Sequence, residues 1–184
     1  MEKGNVAGTV LRIEKSSIHD GDGLRTVLFL KGCPLRCLWC STPESQRGAP
    51  ERGLSREKCT LCGRCVQACP HGALSKKDNK ITHARDKCAG CLKCAAICPE
   101  SAITPYGKTM TAAEAVKEIA KDEIFYFHSG GGLTVSGGEP LEQSGFVLEI
   151  IRGCRERGID CALETSFFAA WEKIEPLLPY ISLL

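Results

Sequence analysis

The stretch from Thr26 to Cys40 reads Thr-Val-Leu-Phe-Leu-Lys-Gly-Cys-Pro-Leu-Arg-Cys-Leu-Trp-Cys, an apolar run that ends in a loop with three cysteines. A short, continuous apolar run of this kind is typical of a strand that is buried on both faces of a parallel sheet. A cubane iron–sulphur cluster has four irons, and thiolates normally hold all of them. Because Cys33, Cys37 and Cys40 supply only three thiolates, this loop predicts a 4Fe-4S cluster with one iron open to a further ligand.

The alternatives for the same loop are a structural zinc site and a chance group of thiols. A zinc knuckle needs a fourth Cys or His at a matching spacing. No His follows Cys40 closely in the sequence. We therefore favour the open cluster over zinc.

A second group of eight cysteines forms an internal repeat further along the chain. Each half has the pattern Cys-x2-Cys-x2-Cys-x3-Cys-Pro of bacterial two-cluster ferredoxins. In that pattern the last cysteine of each half ligates the other cluster. The predicted ligand sets are therefore Cys59, Cys62, Cys65 and Cys98 for one cluster, and Cys88, Cys91, Cys94 and Cys69 for the other. A pair of zinc ribbons is the alternative, which the duplicated Cys-Pro ending disfavours.

Composition narrows the possible environment and partners of the chain. Thirteen cysteines without an apolar leader sequence indicate metal ligation in a reducing cytoplasm rather than disulfides. Cys154 and Cys161 remain outside the ligand sets, and we expect both to be small buried hydrophobes. A net charge of +2 gives no electrostatic reason to expect binding to nucleic acid or to an anionic membrane. No apolar run reaches the length of a transmembrane helix.

Strand and helix patterns alternate along much of the chain. A capping box, Thr111-x-x-Glu114, predicts the start of one helix, and Gly158 predicts the end of another. The expected strands are Gly8–Glu14, Thr26–Leu30, Leu133–Ser136 and Ile159–Glu164, with a further strand beginning in Tyr180–Leu184. The expected later helices are Leu141–Arg157 and Trp171–Leu178. This alternation predicts an α/β fold with a parallel sheet.

The cysteine repeat divides the chain into three predicted segments. Residues 54–106 form a ferredoxin-like α+β insert, and residues 1–53 and 107–184 belong to the domain that it interrupts. The chain stops at Leu184 in what reads as the beginning of a strand, without a turn or a polar tail. We therefore expect a C-terminally truncated protein.

Further motifs flank the cysteine loop and carry a family resemblance. Ser17–Thr26 reads Ser-Ile-His-Asp-Gly-Asp-Gly-Leu-Arg-Thr, Ser41–Gln46 reads Ser-Thr-Pro-Glu-Ser-Gln, and Ser136–Pro140 reads Ser-Gly-Gly-Glu-Pro. Together with the cysteine loop, these motifs resemble the activating enzymes of glycyl-radical enzymes, within the radical S-adenosylmethionine superfamily. Asp22 stands where this family usually has Pro, and Thr42 stands where it usually has Asn.

The resemblance implies a fold, cofactors and cofactor-binding residues. The fold would be the N-terminal part of a partial parallel (β/α) barrel, with the ferredoxin-like domain inserted. S-adenosylmethionine would bind the open iron of the cysteine loop, which gives three 4Fe-4S clusters in total, and a monovalent cation would lie near its carboxylate. The implied cofactor-binding residues are Trp39, Ser41, Gly137, Gly138, Glu139, Glu164 and Thr165. Trp39 could instead shield the cluster from water.

The resemblance also implies an activity. The reductive cleavage of S-adenosylmethionine would give a 5′-deoxyadenosyl radical, which abstracts hydrogen from a glycine of a partner glycyl-radical enzyme. We expect no catalytic residue outside the cofactor-binding cluster, and an electron donor such as flavodoxin or ferredoxin. Two alternatives remain open, namely a ferredoxin-like electron-transfer protein and a radical enzyme that acts on a small molecule.

Overall fold

The computed structural model describes residues 5–184 and separates the chain into two compact units. Residues 49–106 form one of them, which we call the cysteine-rich unit. The chain up to residue 48 and from residue 107 onward forms the other, which we call the sheet unit. No helix within residues 5–184 has both the length and the apolar content needed to cross a membrane.

Strands and short helices alternate along the described chain. The strands are Ala7–Ser17 (β1), Arg25–Leu30 (β2), Glu51–Leu54 (β3), Leu74–Lys77 (β4), Lys80–His83 (β5), Ile103–Tyr106 (β6), Lys108–Thr111 (β7), Gly132–Gly137 (β8) and Asp160–Leu163 (β9). The helices are Arg64–Gln67 (α1), Lys93–Ala96 (α2), Ala112–Ile119 (α3), Glu123–Ser129 (α4), Ser144–Arg155 (α5) and Trp171–Ile174 (α6).

The sheet unit is built on five strands in the order β7-β1-β2-β8-β9. Strand β2 runs parallel to β8 from Arg25 opposite Gly132 to Leu30 opposite Gly137. Strand β9 continues the parallel arrangement on the other side of β8. The predicted α/β class is therefore confirmed at the level of a mixed α/β fold.

The expectation of a parallel sheet fails for the first strand. Strand β1 is antiparallel to β2, and β7 is antiparallel to β1. Only residues 18–24 connect β1 to β2, whereas a parallel connection needs a crossover of a dozen residues or more. The connection is too short for a crossover, so the two strands must pair antiparallel.

Helices α3 and α5 bury their apolar faces on this sheet. The capping box is confirmed, because the Thr111 hydroxyl accepts from the Glu114 N–H and the Glu114 carboxylate accepts from the Thr111 N–H. The apolar positions of α5 recur at helical spacing, which points one face at the core. The buried residues of α5 are Phe146, Val147, Ile150, Ile151 and Cys154.

Several predicted boundaries differ from the observed elements. The helix expected over Leu141–Arg157 begins as a 3-10 turn, Pro140–Gln143, before α5, which runs from Ser144 to Arg155. The helix expected over Trp171–Leu178 is α6, which ends at Ile174 and is followed by a 3-10 helix, Glu175–Tyr180, with Pro176 and Pro179. The strand expected at Tyr180–Leu184 is a single parallel bridge between Ala162 and Leu183. The two prolines explain the early end of α6, since proline donates no backbone hydrogen bond and disrupts a helix interior.

The cysteine-rich unit has two strand pairs, β3 with β6 and β4 with β5, both antiparallel. The pairing of β3 with β6 is the reason why this unit begins before residue 54. Only a few of its side chains are buried, and all of them are apolar: Ala73, Leu74, Ala102 and Ile103. A core of this size supplies little hydrophobic stabilisation.

Candidate functional site

Three loops meet at the carboxyl edge of the parallel strands, which is the usual ligand face of an α/β sheet. The cysteine loop follows β2, the Gly-Gly-Glu turn follows β8, and a Thr-Ser-Phe-Phe loop follows β9. The Glu139 N–H donates to the Gly32 carbonyl at 2.8 Å, and the Thr42 hydroxyl donates to the Gly137 carbonyl at 3.4 Å. These bonds hold the Gly-Gly-Glu turn against both ends of the cysteine loop.

Gly138 allows this close approach. A Cβ at this position would lie 2.3 Å from the Gly32 carbonyl oxygen, which is too near for any side chain. The glycine therefore brings the backbone of the turn directly against the residue that precedes Cys33.

The Glu139 side chain links the Gly-Gly-Glu turn to the loop after β9. Its carboxylate is 1% exposed. One oxygen accepts from the Leu141 N–H at 3.0 Å and the Thr165 hydroxyl at 2.6 Å. The other accepts from the N–H and the hydroxyl of Ser166, at 2.9 and 2.5 Å. Four donors thus occupy both oxygens of a carboxylate that the sequence assigned to cofactor contact.

The base of the cysteine loop is closed by a short ladder of bonds to residues 44–46. The Lys31 ammonium donates to the Glu44 carbonyl at 2.5 Å, Gly32 N–H to Ser45 O at 2.7 Å, and Cys33 N–H to Gln46 O at 3.0 Å. Lys31 has no exposed surface. Sequence reasoning missed this lysine, because its role depends on residues 44–46 returning to the start of the loop.

The remaining predicted residues of this site differ in exposure. Cys33 and Cys40 are half-buried and Cys37 is exposed. The Trp39 side chain is 84% exposed, and Ser41 and Glu164 are exposed as well. The Glu164 N–H donates to the Val135 carbonyl, which fixes the backbone of this residue beside the end of β8.

In the cysteine-rich unit the eight cysteines surround two cavities. Each cavity takes three cysteines from one half of the repeat and the last cysteine of the other half. The first cavity is lined by Cys59, Cys62, Cys65 and Cys98, and the second by Cys88, Cys91, Cys94 and Cys69. Along residues 5–184, no three Cys, His, Asp or Glu side chains converge on a single-ion position.

The two halves of the repeat follow the same backbone path. Three pairs of equivalent positions all have a left-handed conformation, although only one member of each pair is glycine: Leu61 and Gly90, Gly63 and Leu92, and Gly72 and Ser101. A left-handed conformation costs a residue with a side chain about 1 kcal/mol or more. The need to bring four thiols around one centre explains why both halves accept this strain.

The crossing cysteines are held in the same way in both halves. The Ala73 N–H donates to the Cys69 sulphur and the Ala102 N–H donates to the Cys98 sulphur, each at 3.3 Å. Burial raises the pKa of Cys69, but hydrogen bonds from backbone N–H groups lower it by more. The pKa of Cys69 therefore lies below its ordinary value. Such N–H groups favour a thiolate, which is the form that ligates iron.

Cys154 and Cys161 form a buried pair between α5 and β9, as predicted for two small hydrophobes. A hydrogen bond to Cys161 and burial both raise the pKa of Cys154 far above its ordinary value. Cys154 therefore keeps its proton at neutral pH, and Cys161 is fully buried beside it.

These observations fit iron–sulphur clusters better than isolated thiols. Eight cysteines line two cavities four at a time, and backbone N–H groups are already aimed at two of their sulphur atoms. The third cysteine set lies on a loop whose base is closed by hydrogen bonds. The donor chemistry of all three sets suits 4Fe-4S clusters.

Comparison with known proteins identifies related sequences. The family of 4Fe-4S dicluster domains matches residues 51–99, and the family of 4Fe-4S single cluster domains matches residues 81–181. The isethionate sulfite-lyase activating enzyme of Oleidesulfovibrio alaskensis is 44% identical over 98% of this chain and 60% of its own length. The (2S)-3-sulfopropanediol dehydratase activating enzyme of Klebsiella oxytoca is 46% identical over 96% of this chain and 57% of its own length.

The chain belongs to the glycyl-radical-enzyme activating enzymes. A further relative, the trans-4-hydroxy-L-proline dehydratase activating enzyme of Clostridioides difficile, is 46% identical over 90% of this chain and 55% of its own length. The chain spans about 60% of the length of the curated relatives that it matches. Among solved structures, QueE from Escherichia coli aligns with a TM-score of 0.45 at 15% identity, over 87% of this chain and 52% of that one, which is too weak a likeness to assign the fold.

The cysteine-rich unit contains one further residue that sequence reasoning missed. Arg52 lies on β3 and lines the second cavity. Its Nε and Nη2 atoms are buried and have no hydrogen-bond partner within residues 5–184. A comparison of the two halves of the repeat could have identified Arg52, because the equivalent position in the second half is the apolar residue Ile81.

Proposed function

We propose that this activating enzyme generates a radical from S-adenosylmethionine and uses it to take hydrogen from a glycine of a partner glycyl-radical enzyme. The observation that carries the proposal is the direct hydrogen bonding between the three-thiol loop and the Gly-Gly-Glu turn. A loop with an open iron is thereby joined to a turn whose glycines let a ligand approach the backbone.

In this proposal Cys33, Cys37 and Cys40 hold the cluster whose open iron binds S-adenosylmethionine. Cluster and cofactor together supply one-electron cleavage of a carbon–sulphur bond, giving methionine and a 5′-deoxyadenosyl radical. The chain positions the reactants and excludes water, and it supplies no general acid or base.

We assign the cofactor contacts to the three loops at the sheet edge. Gly137 and Gly138 offer backbone groups beside the cysteine loop, with Trp39 and Ser41 on the loop itself. Thr165 and the exposed Glu164 carboxylate lie on the strand-end segment where the cofactor carboxylate and a monovalent cation would bind. Glu139 shapes this surface through its bonds to Thr165 and Ser166, in addition to any contact with the amino group of the cofactor.

The cysteine-rich unit is proposed to be a ferredoxin-like insert that carries two further 4Fe-4S clusters. Protein thiolates fill every ligand position of these two clusters, so they store or pass electrons and do not bind S-adenosylmethionine. The first electron comes from a flavodoxin or a ferredoxin in the reducing cytoplasm, a compartment supported by the use of the cysteines as ligands.

The proposal extends to the class of the partner but not to the partner's own substrate. The relatives named for isethionate, sulfopropanediol and hydroxyproline enzymes match at 44%, 46% and 46% identity. These values are too close together to favour one partner over another.

Metal content and response to S-adenosylmethionine test the proposal together. Anaerobic reconstitution should give about twelve irons per chain, at four per cluster. The triple variant Cys33→Ala, Cys37→Ala, Cys40→Ala should lose about a third of this iron. S-adenosylmethionine should change the electron paramagnetic resonance spectrum of the reduced parent protein and leave that of the triple variant unchanged.

Cys154→Ala is the matched control, since it removes a thiol that we place outside every cluster. It should retain the full iron content and the response to S-adenosylmethionine. A zinc-loaded, iron-poor protein would contradict the proposal, and so would a triple variant that still responds to the cofactor.

A further inference from the structure

The two cavities of the cysteine-rich unit have equivalent backbones but differ in the side chain at one position of the repeat that lines each of them. Each cavity receives a side chain from the position seven residues before the first cysteine of the opposite set. Ile81, seven residues before Cys88, lines the first cavity. Arg52, seven residues before Cys59, lines the second. The repeat therefore places an alkyl group at one site and a guanidinium at the other.

Two nitrogens of the Arg52 guanidinium are buried without an acceptor. Within the part of the chain that the structure describes, these are Nε and Nη2, while the residue as a whole is half-buried. Buried N–H groups without acceptors are costly, so groups of this kind normally face an acceptor. The groups around the second cavity that become negative on metal binding are its four thiols.

The other charged side chains at the first cavity, Arg64 and Glu100, are exposed and opposite in sign. Besides its four cysteines and Arg52, the second cavity is lined by two ionisable side chains, those of His71 and His83. Arg52 is therefore the one lysine or arginine among the described residues that line the second cavity.

We propose that Arg52 donates its buried N–H groups to sulphur at the second site and makes this site the one of higher reduction potential. Hydrogen bonds to sulphur and a nearby positive charge stabilise the reduced cluster, which carries one more negative charge. An electron that enters the unit therefore rests at the site formed by Cys69, Cys88, Cys91 and Cys94. This inference rests on the proposed cluster content, which iron analysis tests separately.

The test is a redox titration of the full chain, carried out in the Cys33/Cys37/Cys40 triple Ala background so that only these two clusters contribute. The parent should show two distinct midpoint potentials. Arg52→Ile makes the two repeat positions identical. It should lower the higher potential by at least a tenfold change in the reduction equilibrium, about 59 mV for one electron, and bring the two values together.

Further variants distinguish the effect of the Arg52 charge from a nonspecific effect of substitution on the fold. Arg56→Ile removes the same charge from an exposed position of the same unit and should leave both potentials in place. Arg52→Ile combined with Ile81→Arg moves the charge to the other site and should restore two separate potentials. If Arg52→Ile loses iron, Arg52→Lys, which retains the charge, should recover it.

The outcomes divide clearly. If the triple Ala background with Arg52 intact contains no iron after reconstitution, the proposed clusters are refuted, and the inference about Arg52, which rests on them, is overturned with them. With clusters assembled, unchanged potentials in Arg52→Ile overturn the inference, as does an equal shift in Arg56→Ile. Loss of iron in both Arg52→Ile and Arg52→Lys also overturns it, because a retained charge would then have no effect.

Discussion

The Glu139 carboxylate joins the Gly-Gly-Glu turn to the loop after β9. It bonds to Thr165 and Ser166, which lie 26 and 27 residues after it in the sequence. Its four hydrogen bonds are made to a buried charge, and bonds of this kind contribute about 1.5–3 kcal/mol each. A glutamate of the Gly-Gly-Glu turn can therefore act by shaping the ligand surface as well as by touching the ligand. The Phe167 N–H donates to the Thr165 hydroxyl and the Phe168 N–H donates to the Ser166 hydroxyl, so the two exposed phenylalanines are joined to the hydroxyl groups that bond to Glu139.

Replacing Glu139 by Ala should lower the free energy of unfolding of the sheet unit by about 3 kcal/mol, because the buried N–H of Leu141 loses its acceptor. Urea unfolding followed by fluorescence measures this change. Glu142→Ala removes a neighbouring carboxylate that is 42% exposed and should change stability little. Equal stability of the Glu139→Ala and parent proteins would show that the carboxylate does not anchor the loop.

At the level of elements, the cysteine loop is preorganised by its own base. The Lys31, Gly32 and Cys33 bonds to residues 44–46 join the two ends of the loop through the protein's own groups. Preorganisation lowers the ordering cost of binding. The Gly-Gly-Glu turn adds a second support from β8.

Lys31→Met should weaken cluster assembly in this loop, because it keeps the alkyl stem but leaves the Glu44 carbonyl without its ammonium donor. On reconstitution with a stoichiometric amount of iron, the iron content should fall from about twelve towards about eight per chain, at four per cluster. Lys108→Met changes an exposed lysine nearby and should retain the full content. Full occupancy in Lys31→Met would mean that the backbone bonds alone close the loop.

Sequence patterns found the elements whose signal is local. Strands β2 and β8 are predicted from their apolar runs, and the start of α3 is predicted from its capping box. Strand β7 went unnoticed, because Lys-Thr-Met-Thr becomes a strand only by pairing with β1. Cysteine spacing likewise predicted candidate ligands. The roles of Lys31 and Arg52 could not be predicted, because they depend on contacts between segments that are distant in sequence.

Helix α4, Glu-Ile-Phe-Tyr-Phe-His-Ser, was not predicted either, because it buries only Tyr126 and has no clear apolar periodicity.

Over the whole molecule, the two units differ in what holds them together. The sheet unit has a continuous apolar core, while the cysteine-rich unit buries only four small or medium apolar side chains. A domain with so little core relies on its metal for folding free energy. The stability of the two units should therefore respond differently to metal.

Removing iron with a chelator should unfold the cysteine-rich unit first. Hydrogen exchange of amides in residues 49–106 should approach that of an unfolded chain, while β2, β8 and α5 keep their protection. The reconstituted protein serves as the reference for both regions. Retained protection throughout residues 49–106 after iron removal would show that this unit folds without its clusters.

The buried pair of Cys154 and Cys161 has a consequence for how the holoprotein matures. Iron bonds to a thiolate, and a thiol that keeps its proton does not compete for it. By packing α5 onto β9, the fold buries both Cys154 and Cys161 completely. In the folded sheet unit, iron in solution therefore has no access to these two thiols, and the remaining eleven of the thirteen cysteines are the ones available as ligands.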